Sequence, residues 1–195
     1  ATVAAGCFWG VEHLYRKHFA DKGLYDARVG YIGGDASNPS YKQVCSGTLA
    51  VSLLPLWRRL LPPLLGMRSP SLQACSLDCV ADKTKDAEAT LLIYDPTRLS
   101  YTQILEFFYK MHDPTTHNQQ GPDRGAQYRS GIFYHNDEQK KVAEEITKKA
   151  NEQWWGGKIV TEILPAKEWW DAEQYHQLYL VNNPDGYECP SHFLR

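Results

Sequence analysis

The chain has 195 residues, 43% hydrophobic and 23% charged, with a formal net charge of -2. That length buries one good core and favours a single domain over 1–195, while the balanced charge excludes bulk attraction to nucleic acid or an anionic membrane. Five cysteines (Cys7, Cys45, Cys75, Cys79, Cys189) form an odd set in a chain too large to need disulfide staples, which points to a reducing compartment.

Thr2 to Ala5 is short and apolar and stops at Gly6, a strand. Phe8, Val11, Leu14, Tyr15 and Phe19 then recur at helical spacing. Leu24 to Ile32 reads as a strand ended by Gly33-Gly34, and a polar loop, Asp35 to Ser40, leads into Tyr41 to Cys45. Ala89 to Tyr94 is another strand, before Asp95-Pro96. Ser100 and Gln103 have capping-box spacing ahead of an apolar face of Ile104, Leu105, Phe107, Phe108 and Met111, a helix that stops near Asp113-Pro114.

Pro114 to Gln127 is rich in Gly, Asn, Gln and Asp and reads as loop; Tyr128 to Tyr134 resumes as a strand. Asn136 with Gln139 caps a helix to about Trp155, ended by Gly156-Gly157. Lys158 to Leu164 is a strand, Asp171 to Leu180 a short helix, and Asn182 to Arg195 a turn-rich tail. Strands and helices mixed in this order predict an α+β fold, a two-layer α/β sandwich.

One stretch breaks the rhythm. From Thr48 to Lys85 the chain is rich in Leu, Pro and Arg, with no acidic residue between Asp35 and Asp78. Pro55, Arg58, Arg59, Pro62 and Pro63 interrupt the apolar run well before the roughly 20 residues a membrane span needs, so no span is expected. Residues 49–85 read as an atypical insertion, loop or disordered. A retained intron in a gene model would account for its bias, with a genuine lineage-specific insertion as the alternative, and peptides from 49–80 in the native protein would refute the intron origin.

Cys7 lies on the first turn of the predicted helix, where unpaired backbone N–H groups and the helix dipole favour a thiolate. A buried cysteine after a strand is by itself common, so the nucleophile reading depends on the other motifs.

Those are GCFWG at 6–10, GYIGG at 30–34, NPSYKQVCSG at 38–47, AEATLLIYDP at 87–96, HDPTTHNQQGPDRGAQYRS at 112–130 and YHQLYLVNNPDGYECPSH at 175–192. In order and wording the chain resembles the peptide methionine sulfoxide reductase A (MsrA) family over 1–48 and 86–195, with GCFWG and GPDRGAQYRS the most specific motifs. The resemblance implies a mixed sheet with ferredoxin-like topology and thioredoxin-dependent reduction of methionine S-sulfoxide, free or in oxidised proteins. No other cofactor and no metal are implied, and a cytoplasmic monomer is expected. Targeting to mitochondria by a segment upstream of residue 1 is compatible with the sequence.

By that resemblance Cys7 is the nucleophile, Glu88 the acid that protonates the sulfoxide oxygen, and Tyr41 and Tyr128 the phenols that hydrogen bond to it. A carboxyl group donates at neutral pH only when a desolvated pocket raises its pKa, so a raised Glu88 pKa is expected. Phe8 and Trp9 form the apolar wall for the methyl group on sulfur, and Asp123 binds the substrate's backbone amide. The Cys7 sulfenic acid then condenses with Cys189, and thioredoxin reduces the disulfide.

Cys45 matches a family position but reads as a buried structural thiol. Cys75 and Cys79 lack the second ligand pair a structural zinc needs. His112 and His176 are explained by helix packing and capping. Where the family runs almost directly from Cys-Ser-Gly into Gly-His-Ala-Glu, this chain has the extra segment and then Asp86-Ala87-Glu88, which threatens the placement of the acid. Two further readings follow: a catalytically impaired relative that binds oxidised proteins, and a thiol peroxidase. The second is disfavoured because no Thr or Arg near Cys7 would activate a peroxide.

Overall fold

The computed structural model describes residues 1–46 and 85–194. The core follows from strand alternation. In β1 (Thr2–Ala5), Val3 and Ala5 face one layer and Ala4 the other. The first layer is built by α1 (Phe8–Phe19), α3 (Tyr101–Met111) and α4 (Asp137–Gln153), which bury Val11, Tyr15, Ile104, Phe108, Ile146 and Ala150 against β1, β2 (Leu24–Ile32), β3 (Ala87–Tyr94) and β6 (Ser130–Tyr134). The opposite face holds a smaller cluster of Ala4, Ile32, Ala87, Ala89 and Phe133.

With β7 (Glu162–Pro165) and β8 (Trp170–Asp171), the six strands run β7-β6-β1-β3-β2-β8. Each neighbouring pair among these strands is antiparallel except β6–β7, which is parallel, so the sheet is mixed. Strand β3 lies between β1 and β2, the split β-α-β arrangement of a ferredoxin-like core, and the two-layer α+β expectation holds.

The predicted caps form. Ser100 Oγ accepts the Gln103 N–H at 3.2 Å while Gln103 Oε1 accepts the Ser100 N–H at 2.9 Å. Asn136 Oδ1 accepts the Gln139 N–H at 2.8 Å at the start of α4.

Four boundaries differ from expectation. The stretch read as loop folds back as a small hairpin, β4 (Gln119–Gln120) with β5 (Asp123–Arg124). Tyr128 ends a 3-10 turn, Ala126–Tyr128, and the strand begins at Ser130. Strand β7 starts at Glu162, not Lys158. The helix expected over 171–180 is absent as one element: Asp171 is recruited opposite Gly30, Gln174–His176 makes a 3-10 turn, and Leu178 at φ 54° separates it from α5 (Tyr179–Asn182). The Gln177 amide acts as a substitute strand there, accepting from Val29 N at 3.0 Å and donating to Val29 O at 2.8 Å. Tyr41–Ser46 is a short helix, α2.

Candidate active site

Glu88 and Cys7 meet at the N-terminus of α1. Alternation along β3 puts Glu88, Thr90 and Leu92 on the helix-bearing face, and Glu88 pairs with Tyr31 in the β2–β3 register. Its Oε2 accepts the Phe8 N–H at 3.2 Å, so a carboxyl from the sheet takes an amide that α1 leaves unpaired. Cys7 is 6% exposed and Glu88 1%. Gly6, at φ 89°, permits the close approach: a Cβ there would stand 2.4 Å from Gln120 Cβ.

Burial pushes the Glu88 carboxyl up to about 8, opposed by the Phe8 N–H and reinforced by the charge of Asp123. It is protonated at neutral pH, as expected of a proton donor. Cys7 departs from the expected thiolate. Burial pushes its thiol well above the ordinary thiol range, Glu88 adds to this, and the Trp9 N–H alone opposes it. Desolvation outweighs the helix terminus because one amide hydrogen bond does not replace the lost water around a buried charge.

Tyr41, first residue of α2, and Tyr128, last of the 3-10 turn, come together over Glu88. Burial raises both phenols, and the Glu88 charge raises them further, so both remain hydrogen-bond donors. Cys45 corrects its sequence reading. It is not a buried structural thiol: the residue is exposed, and its sulfur faces Tyr41, Tyr128 and Gln127. Burial of the sulfur and the Glu88 charge raise it to about 11.

Phe8 is buried beside Val29, Tyr31, Val44 and Ala172, and Trp9 is half-buried at the rim of the same cluster. Trp9 stacks on Tyr179 at 3.7 Å between ring centres and donates its Nε1–H to His176 Nδ1 at 3.0 Å. His176 therefore does more than pack a helix, since it orients the indole. Asp123, in the β4–β5 hairpin, accepts from Tyr187 OH at 2.8 Å, and its second carboxylate oxygen is buried near the Cys189 thiol.

The tail brings Cys189 to the nucleophile. Cys189 is buried, 3.6 Å from Gln120 O and 3.2 Å from Ser191 Oγ, and close enough to Cys7 for its charge to raise the Cys7 pKa. His192 Nε2 is 2.6 Å from Ala5 O, and its ring lies where a Gly10 Cβ would be, 2.4 Å from Nδ1. Both glycines of GCFWG thus make room for neighbouring segments. The sequence reading missed Gln120, His192 and Glu173 and the link from His176 to Trp9, because each meets the site through a residue more than a hundred positions away.

The family described as peptide methionine sulfoxide reductase matches residues 1–51 and 72–193. The chain belongs to the peptide methionine sulfoxide reductase family. A Schizosaccharomyces pombe relative is 44% identical over 197 residues, covering 100% of this chain and 95% of its own length. The reduced form of Saccharomyces cerevisiae Mxr1 superposes with a TM-score of 0.78 at 40% identity, covering 100% of this chain and 90% of that one. Mxr1 in complex with thioredoxin Trx2 matches with a TM-score of 0.57 at 27% identity, covering 100% of this chain and 87% of that one.

At Asp86, where the sequence reading expects a departure from the reductase pattern, the structure supplies a role. Asp86 Oδ1 accepts the Gly34 N–H at 2.9 Å, joining the start of β3 to the turn after β2. Arg129 Nη2 donates to Lys85 O at 2.9 Å, one residue earlier. Among the described residues Glu88 is thus held by strand pairing and these two ties. Cys75, Cys79 and residues 49–84 of the atypical segment lie outside the described residues. Among the described residues no group of His, Cys, Asp and Glu is arranged to hold a metal, and no helix is long and apolar enough to cross a membrane.

Proposed function

We propose that this chain reduces methionine S-sulfoxide, free and in oxidised proteins, as a thioredoxin-dependent monomer in the cytoplasm. The observation that carries the reading is the convergence of Cys7, Tyr41 and Tyr128 on the buried Glu88 carboxyl, with Cys189 beside Cys7.

The Cys7 sulfur attacks the sulfoxide sulfur as Glu88 delivers its proton to the oxygen and both phenols hydrogen bond to it. Glu88 takes the Cys7 proton in return, so the pocket never holds an isolated charge. This reconciles the high Cys7 pKa with nucleophilic attack, because the thiol ionises only as the oxygen is protonated. The hydroxyl then passes from the substrate sulfur to the Cys7 sulfur as the bond between the two sulfurs breaks, which leaves a Cys7 sulfenic acid and returns an electron pair to the methionine sulfur.

Cys189 then attacks the sulfenic sulfur, the hydroxyl departs as water with the Cys189 proton, and a Cys7–Cys189 disulfide forms. A thioredoxin dithiol returns two electrons and two protons by exchange. The methyl group of the substrate rests against Trp9 and Phe8, opposite the phenols, which distinguishes the epimers. Asp123 accepts the substrate's amide N–H once Tyr187 turns aside.

Residues 49–85 are proposed as an insertion in a single domain, dispensable for the chemistry. The test is reduction of separate S and R epimers with thioredoxin and its reductase, by the full chain and by one with 49–85 shortened to a turn. Consumption of the S epimer alone by both is the expected result. A folded full chain inert on both epimers, rescued by shortening, would show that the segment disconnects the acid, and inertness of both would sink the reading.

A further inference from the structure

Tyr41 opens a helix of six residues, too short to be rigid by its own hydrogen bonds. Tertiary contacts hold it. Val44 is buried with Phe8, Val29, Tyr31 and Ala172, and the Tyr41 N–H donates to Glu173 Oε1 at 2.9 Å. The other Glu173 oxygen accepts from Tyr31 OH at 2.9 Å and lies 3.9 Å from His176 Nε2. Tyr31 is fully buried and sits opposite Glu88 in the β2–β3 register. One carboxylate therefore connects the backbone of Tyr41 to the strand position beside the acid.

We propose that Glu173 is a positioning residue for sulfoxide reduction, its carboxylate bridging Tyr41 N–H and Tyr31 OH so that the Tyr41 phenol stands at a fixed place over Glu88. The inference rests on the reading that the Tyr41 phenol hydrogen bonds to the sulfoxide oxygen. Hydrogen bonds to a charged acceptor are short and strong, and a displacement of about 1 Å in a reacting geometry costs up to about 100-fold in rate. Glu173 reaches the sulfoxide oxygen through Tyr41, whereas an effect passed through His176 to Trp9 would show in half-saturation. It follows that its substitution should slow the oxygen-transfer step only while the Tyr41 hydroxyl is present.

Single-turnover formation of methionine from the S epimer, without thioredoxin, isolates the reductase step. It is measured for the full chain, Glu173→Ala, Glu173→Gln, Tyr41→Phe and the double variant Glu173→Ala/Tyr41→Phe, each checked for folding by thermal melt. Glu173→Ala should slow the step about tenfold with half-saturation unchanged within about twofold. Glu173→Gln, which keeps an acceptor for Tyr41 N–H, should stay near the unmodified rate. In the Tyr41→Phe background Glu173→Ala should cost nothing further. Glu173→Leu, which fills the same space without acceptors, replaces Glu173→Ala if the latter fails to fold. Additive losses in the double variant, equal losses in the Ala and Gln variants, or no loss in Glu173→Ala would overturn the proposal. A folded parent chain that leaves the S epimer untouched instead removes the reading of Tyr41 itself, and the proposal with it.

Discussion

The site is assembled from two kinds of support. Cys7 and Glu88 sit where β1, β3 and α1 meet, with strand register and a buried Phe8 N–H fixing their separation. Cys189 and Asp123 sit on a tail and a two-residue hairpin, anchored by single side chains such as His192 and Tyr187. The contrast matches the steps proposed for each. Attack and proton transfer need a preset geometry, whereas a resolving thiol must travel to the nucleophile and release it again.

The largest effect separates these supports at once. Cys7→Ser should abolish methionine formation, by at least about 1000-fold, because no other nucleophile stands at that point. Cys189→Ser should stop thioredoxin-dependent turnover equally well yet leave one methionine per chain in a single-turnover assay, with Cys7 recovered as sulfenic acid by trapping and mass spectrometry. A Cys189→Ser chain that keeps cycling with thioredoxin would show that another thiol resolves the intermediate.

Glu88 comes next. Glu88→Gln should slow the single turnover by about 100-fold or more. The parent's rate should fall as pH rises through about 8, where the donor loses its proton, and this limb should vanish in Glu88→Gln. Stability moves the same way. The folded state holds the Glu88 proton up to about 8 while an unfolded glutamate releases it near 4.5, so the fold loses stability as pH rises across that window, by about 5 kcal/mol at most. Melting temperatures at pH 5 and pH 9 should therefore diverge in the parent more than in Glu88→Gln.

Smaller effects sharpen the comparison at its edges. Trp9→Phe keeps an aromatic wall but loses the bond to His176 Nδ1, so half-saturation for the S epimer should rise several-fold with little change in the maximal rate. Ser100→Ala removes the α3 cap and should cost about 1 kcal/mol of stability while leaving kinetics unchanged, since the Ser100 side chain bonds only to Gln103 and touches neither support. Any kinetic loss there would show that the two regions are coupled through the helical layer.

Much of this was legible in the chain. The capping box at Ser100, the Asn136 cap and the strand at Leu24–Ile32 appear as local patterns read them, because each depends on neighbours within a few residues. The segment after Asp171 was misread for the opposite reason. Its apolar spacing is compatible with a helix, but Gln177 and Asp171 find better partners on β2, nearly 150 residues earlier. The Cys7 ionisation failed similarly, since a helix terminus is visible in sequence and the burial that overrides it is not.

By itself the sequence determined the α+β class, the family and the candidates for the reacting groups, because motif residues and periodicity are local properties of a chain. Only the tertiary structure decided that Glu88 keeps its proton, that Cys7 remains a thiol, and that Glu173, His176 and Cys45 gather around the phenols. Desolvation and long-range hydrogen bonds decide those things, and both depend on which distant residues exclude water from a common space.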